Sequence, residues 1–339
     1  MLAGRMDPDA VADVKRVPHG GASDATVLDF SANTNPKRPR GVVSVYESAY
    51  GAATRYPEDD YCEYRTAAGE YLGCEPLSVV PTSGGMGAIR LTLDVTLETG
   101  DEALLPAPSF GEYEREVQLQ GADPSFVDHD RILDADPAPY DAVVVCNPNN
   151  PTGDAYRRAD LLRYARECHA ADTVLLVDEA FLDFTERRTL AGEPGVVVAR
   201  SLTKVFGLPG LRMGLAVATD DLRDRLDAAR PTWGLSTPAA DVGAYCLRQT
   251  KFVAETRDRV RRERRRMADR LHDAFEVYPS EAPFLLLHVT DRSVDDVIDD
   301  ARRDGIAVRN ATTFRGLDSH IRVAVRRPAE NDRLLDALT

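Results

Sequence analysis

Short, nearly continuous apolar runs between about residues 41 and 230 constrain the fold of this chain more than any other feature. They alternate with segments of helical periodicity, and they cover residues 101–106, 141–146, 173–177, 195–199 and 213–218. Their β-branched character predicts strands buried on both faces, as in a parallel sheet whose strands are joined by helices. We therefore predict an α/β fold with its chemistry collected at the carboxyl ends of the strands.

The length of 339 residues predicts two domains. Residues 1–40 are rich in Gly, Pro and Asn, and we predict an extended arm with turns. Residues 41–230 are predicted to form a large domain and residues 231–339 a smaller C-terminal α/β domain. The predicted small-domain strands are 284–289, 305–308 and 321–325, with helices at 294–303 and from residue 328 to the end.

One long helical pattern at residues 254–275 contains the run Arg261-Arg262-Glu263-Arg264-Arg265-Arg266. It is either a functional basic patch or the solvated side of a helix between the two domains. The formal charge of −14 favours the second interpretation and makes nucleic acid or an anionic membrane a poor partner. The acidity indicates a halophilic surface adapted to concentrated salt. A GC-rich genome would explain the many arginines but not the acidity.

The five cysteines are scattered and have no histidine at metal-ligand spacing, so we expect neither a metal site nor a disulfide framework. Residues 1–12 carry acidic side chains and lack an apolar run, which predicts no signal peptide. No stretch has the length and apolarity of a membrane span. These features together predict a cytoplasmic protein.

Lys204 carries the strongest chemical signal. Lysine and arginine total 42, of which only four are lysine, so arginine serves wherever a plain positive charge is enough. An amine that must lose its proton and attack a carbonyl has to be lysine, because guanidinium stays charged. Lys204 ends the segment Ser201-Leu202-Thr203-Lys204, and Arg212 follows eight residues later. This context suggests a Schiff base with pyridoxal phosphate.

Pyridoxal phosphate also needs an anion at its ring nitrogen and a donor at its phenolate oxygen. Asp178 follows the apolar run 173–177 and is the candidate anion, although an aspartate after a strand is often a helix N-cap. Asn150, in Asn147-Pro148-Asn149-Asn150-Pro151-Thr152-Gly153, is the candidate donor. That segment would by default be a turn, but the whole heptad is much rarer than a generic turn.

The phosphate and the ring face of the cofactor need partners as well. The segment Thr82-Ser83-Gly84-Gly85-Met86-Gly87 leads into an apolar helix, whose free amides suit a phosphate. It lacks the Gly-Lys-Ser/Thr ending of a nucleotide-binding P-loop, which disfavours ATP. Phe110 is the candidate stacking partner, although a lone phenylalanine is more often part of a core. The predicted phosphate-binding residues are Ser83, Gly84, Gly85, Ser201 and Arg212.

Together these residues resemble the fold-type I pyridoxal-phosphate enzymes of the class I/II aminotransferase family, over essentially the whole chain. The resemblance implies that the arm contributes to the small domain and the active site. It also implies that residues 41–230 bind pyridoxal phosphate on a mostly parallel sheet between helices, with a smaller C-terminal domain, and that Lys204 and Asp178 are catalytic residues. It also implies a homodimer with shared active sites, because Tyr56 matches a tyrosine that reaches the neighbouring subunit's cofactor phosphate.

Several stretches resemble the L-threonine-O-3-phosphate decarboxylases of cobalamin biosynthesis, near relatives of the histidinol-phosphate aminotransferases. They are His19-Gly20-Gly21, Asp29-Phe30-Ser31-Ala32-Asn33-Thr34-Asn35-Pro36, Val308-Arg309-Asn310 and residues 316–326. Phe181 stands where the aminotransferases generally have a tyrosine, whereas Ser83-Gly84-Gly85-Met86-Gly87 departs from the decarboxylase pattern.

The resemblance implies a small phosphorylated amino acid as substrate, bound by His19, Asn33, Arg309 and Arg322. His19 could instead cap a turn, and the two arginines could instead be surface residues. Which arginine binds the carboxylate and which the phosphate stays open. Three functions follow, in order: decarboxylation of threonine phosphate, transamination of histidinol phosphate with 2-oxoglutarate, and non-catalytic cofactor binding.

Overall fold

The computed structural model describes residues 6–24 and 26–339. In this part of the chain the α-helices are α1 Pro8–Asp13, α2 Val42–Ala52, α3 Cys62–Leu72, α4 Gly84–Thr96, α5 Glu112–Leu119, α6 Arg158–Ala170, α7 Leu202–Val205, α8 Asp220–Ala229, α9 Thr237–Leu247, α10 Thr250–Leu271, α11 Val294–Arg303 and α12 Pro328–Leu338. The strands are β1 Leu28–Asp29, β2 Val79–Ser83, β3 Glu102–Ala107, β4 Asp123–Asp128, β5 Ala142–Cys146, β6 Val174–Asp178, β7 Val196–Ser201, β8 Met213–Val217, β9 Glu276–Val277, β10 Phe284–His288, β11 Ile306–Ala307, β12 Arg309–Asn310 and β13 His320–Ala324.

A seven-stranded sheet in the order β2-β8-β7-β6-β5-β3-β4 forms the centre of the molecule. Strands β4, β3, β5, β6 and β7 are parallel, which confirms the predicted mostly parallel sheet. The expectation that run 213–218 is a parallel strand is wrong, because β8 is antiparallel to both β7 and β2. The connection from Ser201 to Met213 is too short for the crossover helix that a parallel neighbour requires.

The sheet is covered by helices on both faces, as the continuous apolar runs predict. In β5, Val143 and Val145 belong to the core that includes Tyr64 of α3 and Leu161 of α6. Val144 belongs to the opposite core, which includes residues of α4, α5 and α8. Successive side chains of a strand point to opposite faces, so a strand buried on both sides has no polar alternation.

A second, four-stranded antiparallel sheet in the order β12-β13-β10-β9 lies in the C-terminal part of the chain. The arm joins this part through a parallel pairing of β1 with β11. Ala324 N also donates to the Phe30 carbonyl at 2.9 Å. Besides extended chain, the arm contains the short helix α1, which Asp7 caps by accepting hydrogen bonds from two backbone amides. The features predicted for residues 1–5 and 25 lie outside the described residues.

Helix α9 begins after residue 230 but packs against α2 and α3. Packing alone therefore does not separate the large domain from the C-terminal domain at residue 231. The domain boundaries at residues 41 and 231 stay predictions.

Helix α10 is the long helix expected at 254–275, beginning and ending four residues earlier. Its arginine run makes local contacts with carboxylates and carbonyls. Arg261 pairs with Glu186 at 3.1 Å, and Arg266 pairs with Asp332 at 2.6 Å. Arg264 donates to the carbonyls of Glu281 and Ala282. These contacts agree with the solvated, charge-paired interpretation of the run.

Candidate active site

The groups predicted from the sequence meet at one edge of the large sheet. Asp178 ends β6, Asn150 lies four residues after β5, and Lys204 lies three residues after β7. A cavity of about 290 Å³ opens there. It is lined by eleven of the predicted site residues, namely His19, Asn33, Gly85, Phe110, Asn150, Asp178, Ser201, Lys204, Arg212, Arg309 and Arg322.

Lys204 lies in the one-turn helix α7, directly after the central strand β7. Its carbonyl accepts a hydrogen bond from Asn35 N at 3.0 Å, which ties α7 to the arm. Burial, and next the positive charge of Arg322, lower the pKa of the Lys204 amine to about 8, whereas the charge of Asp178 acts in the opposite direction. A lysine with this pKa has a larger neutral, nucleophilic fraction near neutral pH than an exposed one.

Asp178 lies at the bottom of the cavity and is held at both carboxylate oxygens. Tyr113 donates its hydroxyl to Oδ2 at 2.6 Å, and Ala180 donates its backbone amide to Oδ1 at 2.9 Å. Burial raises the pKa of Asp178, while these two hydrogen bonds and the charge of Lys204 act in the opposite direction. Tyr113 was not predicted as a site residue. The only signal in the sequence is its place one helical turn after Phe110.

Asn150 and Arg322 form a buried pair at the inner wall. Arg322 donates to the Asn150 side-chain oxygen and, at 3.2 Å, to the Ser31 carbonyl. With its amide turned so that oxygen faces Arg322, Asn33 accepts from both terminal nitrogens at 3.3 Å. Since its oxygen is occupied, Asn150 presents its amide Nδ2 as the remaining donor. Burial, and next the charge of Arg309, lower the pKa of Arg322 to about 9.

The glycine loop, Ser201 and Arg212 form a corner at the start of α4. Gly84 has φ +78°, and a Cβ there would lie 2.5 Å from Arg212 Nη2. A Cβ on Gly85 would lie 3.1 Å from the Ser201 Cβ. Glycine therefore lets the helix N-terminus and the guanidinium approach one another closely, an arrangement that suits a phosphate. Ser83, the last residue of β2, lines a neighbouring depression and not the cavity itself.

The outer wall of the cavity combines the arm with β12. The rings of His19 and Phe110 lie 5.7 Å apart. Arg309 donates from Nη2 to the Pro18 carbonyl at 2.7 Å and to Thr313 Oγ1 at 2.8 Å. Arg309 and His19 are therefore neighbours, and both also line a second depression at the mouth of the cavity, which Arg322 does not.

Tyr56 is the one predicted site residue that the chain does not bring near this cavity. Its side chain is 77% exposed and stacks on Trp233, with ring centroids 4.1 Å apart. Tyr56 therefore does not contact this chain's own cavity, and its exposed ring is free to contact another molecule.

A buried ion cluster supports the floor from behind. Arg200, directly before Ser201, pairs with Glu179 at 3.1 Å and with Asp183. Glu179 also accepts from Leu190 N at 2.9 Å. Because Glu179 follows Asp178, this cluster fixes the chain on both sides of the cavity floor. Sequence reasoning missed it, since none of its members lines the cavity.

Comparison with known proteins adds the family. The family described as aminotransferase class I and II matches residues 25–338. The chain belongs to this family. It is 32% identical to histidinol-phosphate aminotransferase 2 of Archaeoglobus fulgidus, over 93% of each chain. It is also 32% identical to threonine-phosphate decarboxylase of Salmonella typhimurium, over 94% of this chain and 92% of that protein.

Among solved structures, histidinol-phosphate aminotransferase of Sinorhizobium meliloti in complex with pyridoxal 5'-phosphate superposes with a TM-score of 0.82. The identity is 22%, over 91% of this chain and 88% of that one. This superposition confirms the predicted fold-type I architecture. The family match confirms the assignment to the pyridoxal-phosphate-dependent enzymes. Both a decarboxylase and an aminotransferase occur among the relatives, so the family alone does not select the reaction.

Two further observations concern the described residues only. They contain no group of three or more His, Cys, Asp or Glu side chains placed to hold a metal ion. Among them, no helix has the length and apolarity to cross a membrane.

Proposed function

We propose that this chain decarboxylates L-threonine O-3-phosphate to (R)-1-amino-2-propanol O-2-phosphate in cobalamin biosynthesis. The observation that carries the proposal is the placement of basic side chains at two places in one cavity. Arg322 lies deep, against Asn150, whereas Arg309 and His19 lie side by side nearer the mouth. This arrangement suits a small substrate that carries a carboxylate and a phosphate.

The cavity residues fit pyridoxal phosphate by their chemistry. Lys204 would hold its aldehyde carbon and Asp178 its ring nitrogen, with Phe110 against the ring face. Asn150 would donate to its phenolate oxygen. The phosphate would lie in the corner formed by Gly84, Gly85, Ser201 and Arg212, where added Cβ atoms would fill the space. When bound, the cofactor draws the electron pair of the breaking bond at the substrate α-carbon into its ring.

The position of Arg322 favours a role in holding the substrate carboxylate. Its charge acts on Lys204, so it lies close to the place where the substrate amine must be bound. The carboxylate is one bond from the carbon that bears this amine. The phosphate of the side chain is farther away, which suits Arg309 and His19 nearer the mouth. This assignment of the two arginines is part of the proposal.

Orientation at Arg322 would select the bond that breaks. A carboxylate that Arg322 held in the orientation suited to bond breaking would leave as carbon dioxide, and the α-carbon would then take up a proton. Lys204 is the group in the cavity that can deliver this proton from Nζ. If the α-hydrogen had that orientation instead, Lys204 would abstract it and transamination would begin.

Phe181 is a second feature that favours the decarboxylase over the aminotransferases. Its side chain is buried and packs edge-on against Phe284, with centroids 5.2 Å apart. A phenyl ring cannot donate a hydrogen bond, so the phenolate oxygen would depend on Asn150. The glycine loop, which departs from the decarboxylase pattern, would bind the cofactor phosphate through backbone amides.

We also propose that the active protein is a homodimer with shared active sites. The exposed aromatic residues Tyr46, Tyr50, Tyr56 and Trp233 provide apolar surface for a second copy. In such a dimer Tyr56 would reach the partner's cofactor phosphate. The cytoplasmic location and the halophilic character expected from the sequence belong to this proposal too.

A product assay tests the function. The holoenzyme is incubated in high salt with threonine phosphate, and separately with histidinol phosphate plus 2-oxoglutarate. Release of carbon dioxide without glutamate supports decarboxylation, whereas formation of glutamate supports the aminotransferase alternative. Lys204→Ala is the control and should abolish turnover in either reaction. Silence of the unmodified protein in both assays, with the cofactor bound, would instead support non-catalytic binding.

A further inference from the structure

The arm residue His19 is held at the cavity by contacts from both sides. Its Nε2 lies 2.8 Å from Glu112 Oε1, at the start of α5. The preceding carbonyl, of Pro18, accepts from Arg309 at 2.7 Å. After it, Gly21 N donates to Ser31 Oγ at 2.8 Å. The backbone around His19 is therefore fixed, and Glu112 alone of these partners contacts the ring.

Glu112 is a buried carboxylate that is well placed to orient the His19 ring. It is only 8% exposed, although it is a carboxylate at a helix end. Its other oxygen, Oε2, lies 3.4 Å from Arg115 Nη1. An imidazole nitrogen that faces a carboxylate carries a hydrogen, so Nδ1 is the nitrogen left for a ligand. Glu112 thereby fixes the ring orientation in which Nδ1 faces a ligand.

Recognition of a phosphate at the mouth would otherwise depend on Arg309 alone. Two donors of Arg309 are already directed to protein oxygens, on Pro18 and Thr313. The deep Arg322 is engaged with Asn150 and Ser31. His19 completes the outer wall, and among the described residues its ring has one side-chain hydrogen bond, to Glu112.

We propose that Glu112 is a positioning residue that holds His19 for the substrate phosphate and so sets the preference for a phosphorylated amino acid. This inference rests on the proposed function for the identity of the substrate. Glu112 lines a depression beside the cavity and does not line the cavity itself, so it acts through His19.

The chain offers a matched control in Glu116, one turn later on α5. Glu116 is fully buried and pairs with Arg90 at 2.7 Å and with Arg115 at 3.1 Å. Glu116→Gln therefore removes a buried carboxylate and a partner of Arg115, as Glu112→Gln does, but leaves His19 untouched. A thermal unfolding curve of each variant checks that it is folded.

The experiment compares KM and kcat of the holoenzyme variants for threonine phosphate. Loss of one charge-assisted hydrogen bond predicts a rise in KM of about tenfold for Glu112→Gln, with kcat within about twofold. Glu116→Gln should change neither. Binding of unphosphorylated L-threonine, measured as a competitive inhibition constant, should not respond to Glu112→Gln. An equal loss for L-threonine and threonine phosphate would overturn the proposal.

A double-mutant cycle with His19→Gln tests whether the effect passes through the imidazole. In that background Glu112→Gln should have no further effect on KM, whereas additive losses would contradict the positioning role. Inorganic phosphate, used as an inhibitor of whichever substrate is turned over, makes the test independent of the reaction. If histidinol phosphate proves to be the substrate, a weaker phosphate inhibition in Glu112→Gln still supports the role of Glu112. An unchanged inhibition constant would refute it.

Discussion

The pKa of Lys204 gives the most quantitative prediction. Burial, with a contribution from Arg322, lowers this pKa from 10.5 to about 8. Such a shift corresponds to about 3 kcal/mol in favour of the neutral amine. At pH 7 it raises the neutral fraction from roughly one in 3000 to roughly one in ten. The amine should therefore react with an aldehyde about 300 times faster than an ordinary lysine at that pH, other factors being equal.

The assay is the rate of attachment of pyridoxal phosphate to the apoenzyme, followed by stopped-flow absorbance between pH 6 and 11. The rate should rise with pH and level off above about 8. Arg322→Met removes a positive charge near the amine, so the pKa should rise and the half-point should move to higher pH. The exposed Arg270→Met is the control and should leave the curve unchanged.

Two results would refute this reasoning. A half-point near 10.5 would mean that the folded protein does not shift the amine. If the pH of half-maximal rate is unchanged or lower in Arg322→Met, Arg322 does not act on Lys204 through its charge.

Other changes have expected outcomes as well. Gly84→Ala places a Cβ against Arg212 at positive φ and should weaken cofactor binding about tenfold or more in equilibrium dialysis; unchanged affinity would contradict the tight corner. Tyr113→Phe removes a hydrogen bond that lowers the pKa of Asp178, so the acid limb of the pH–activity profile should move to higher pH, and an unmoved limb would count against it. Arg200→Met leaves two buried carboxylates without their cation and should cost about 3–5 kcal/mol in urea unfolding; a loss below about 1 kcal/mol would argue against the ion cluster. The unfolding midpoint of the acidic, unaltered protein should rise with KCl concentration, and a falling midpoint would oppose the halophilic interpretation.

The central strands could be predicted from the sequence, but the two edge strands could not. Strands β5, β6 and β7 are covered on both faces, so their residues are continuously apolar. Strands β2 and β4 lie at the ends of the sheet order, and each contains a proline, Pro81 or Pro124. Edge strands tolerate proline and polar residues, which removes the apolar signal. The antiparallel direction of β8 left no signal because a strand buried on both faces has the same composition in either direction.

In the candidate site, too, residues with a local sequence signal could be predicted, whereas residues that depend on distant contacts could not. Asn150, Asp178 and Lys204 could be predicted because each lies within a few residues of the end of an apolar run, and parallel strands end at one edge. Glu112 and Tyr113 could not, because their roles depend on contacts with residues 93 and 65 positions away in the chain. Tyr56 was predicted from the resemblance alone, and its function requires a second subunit.

The identity of the lysine that binds the cofactor is the most direct test of the whole account. Borohydride reduction of the holoenzyme, followed by peptide mass spectrometry, reports this lysine among the four in the sequence. We expect the label on Lys204 alone. A label on Lys15, Lys37 or Lys251 would contradict the assignment of the site.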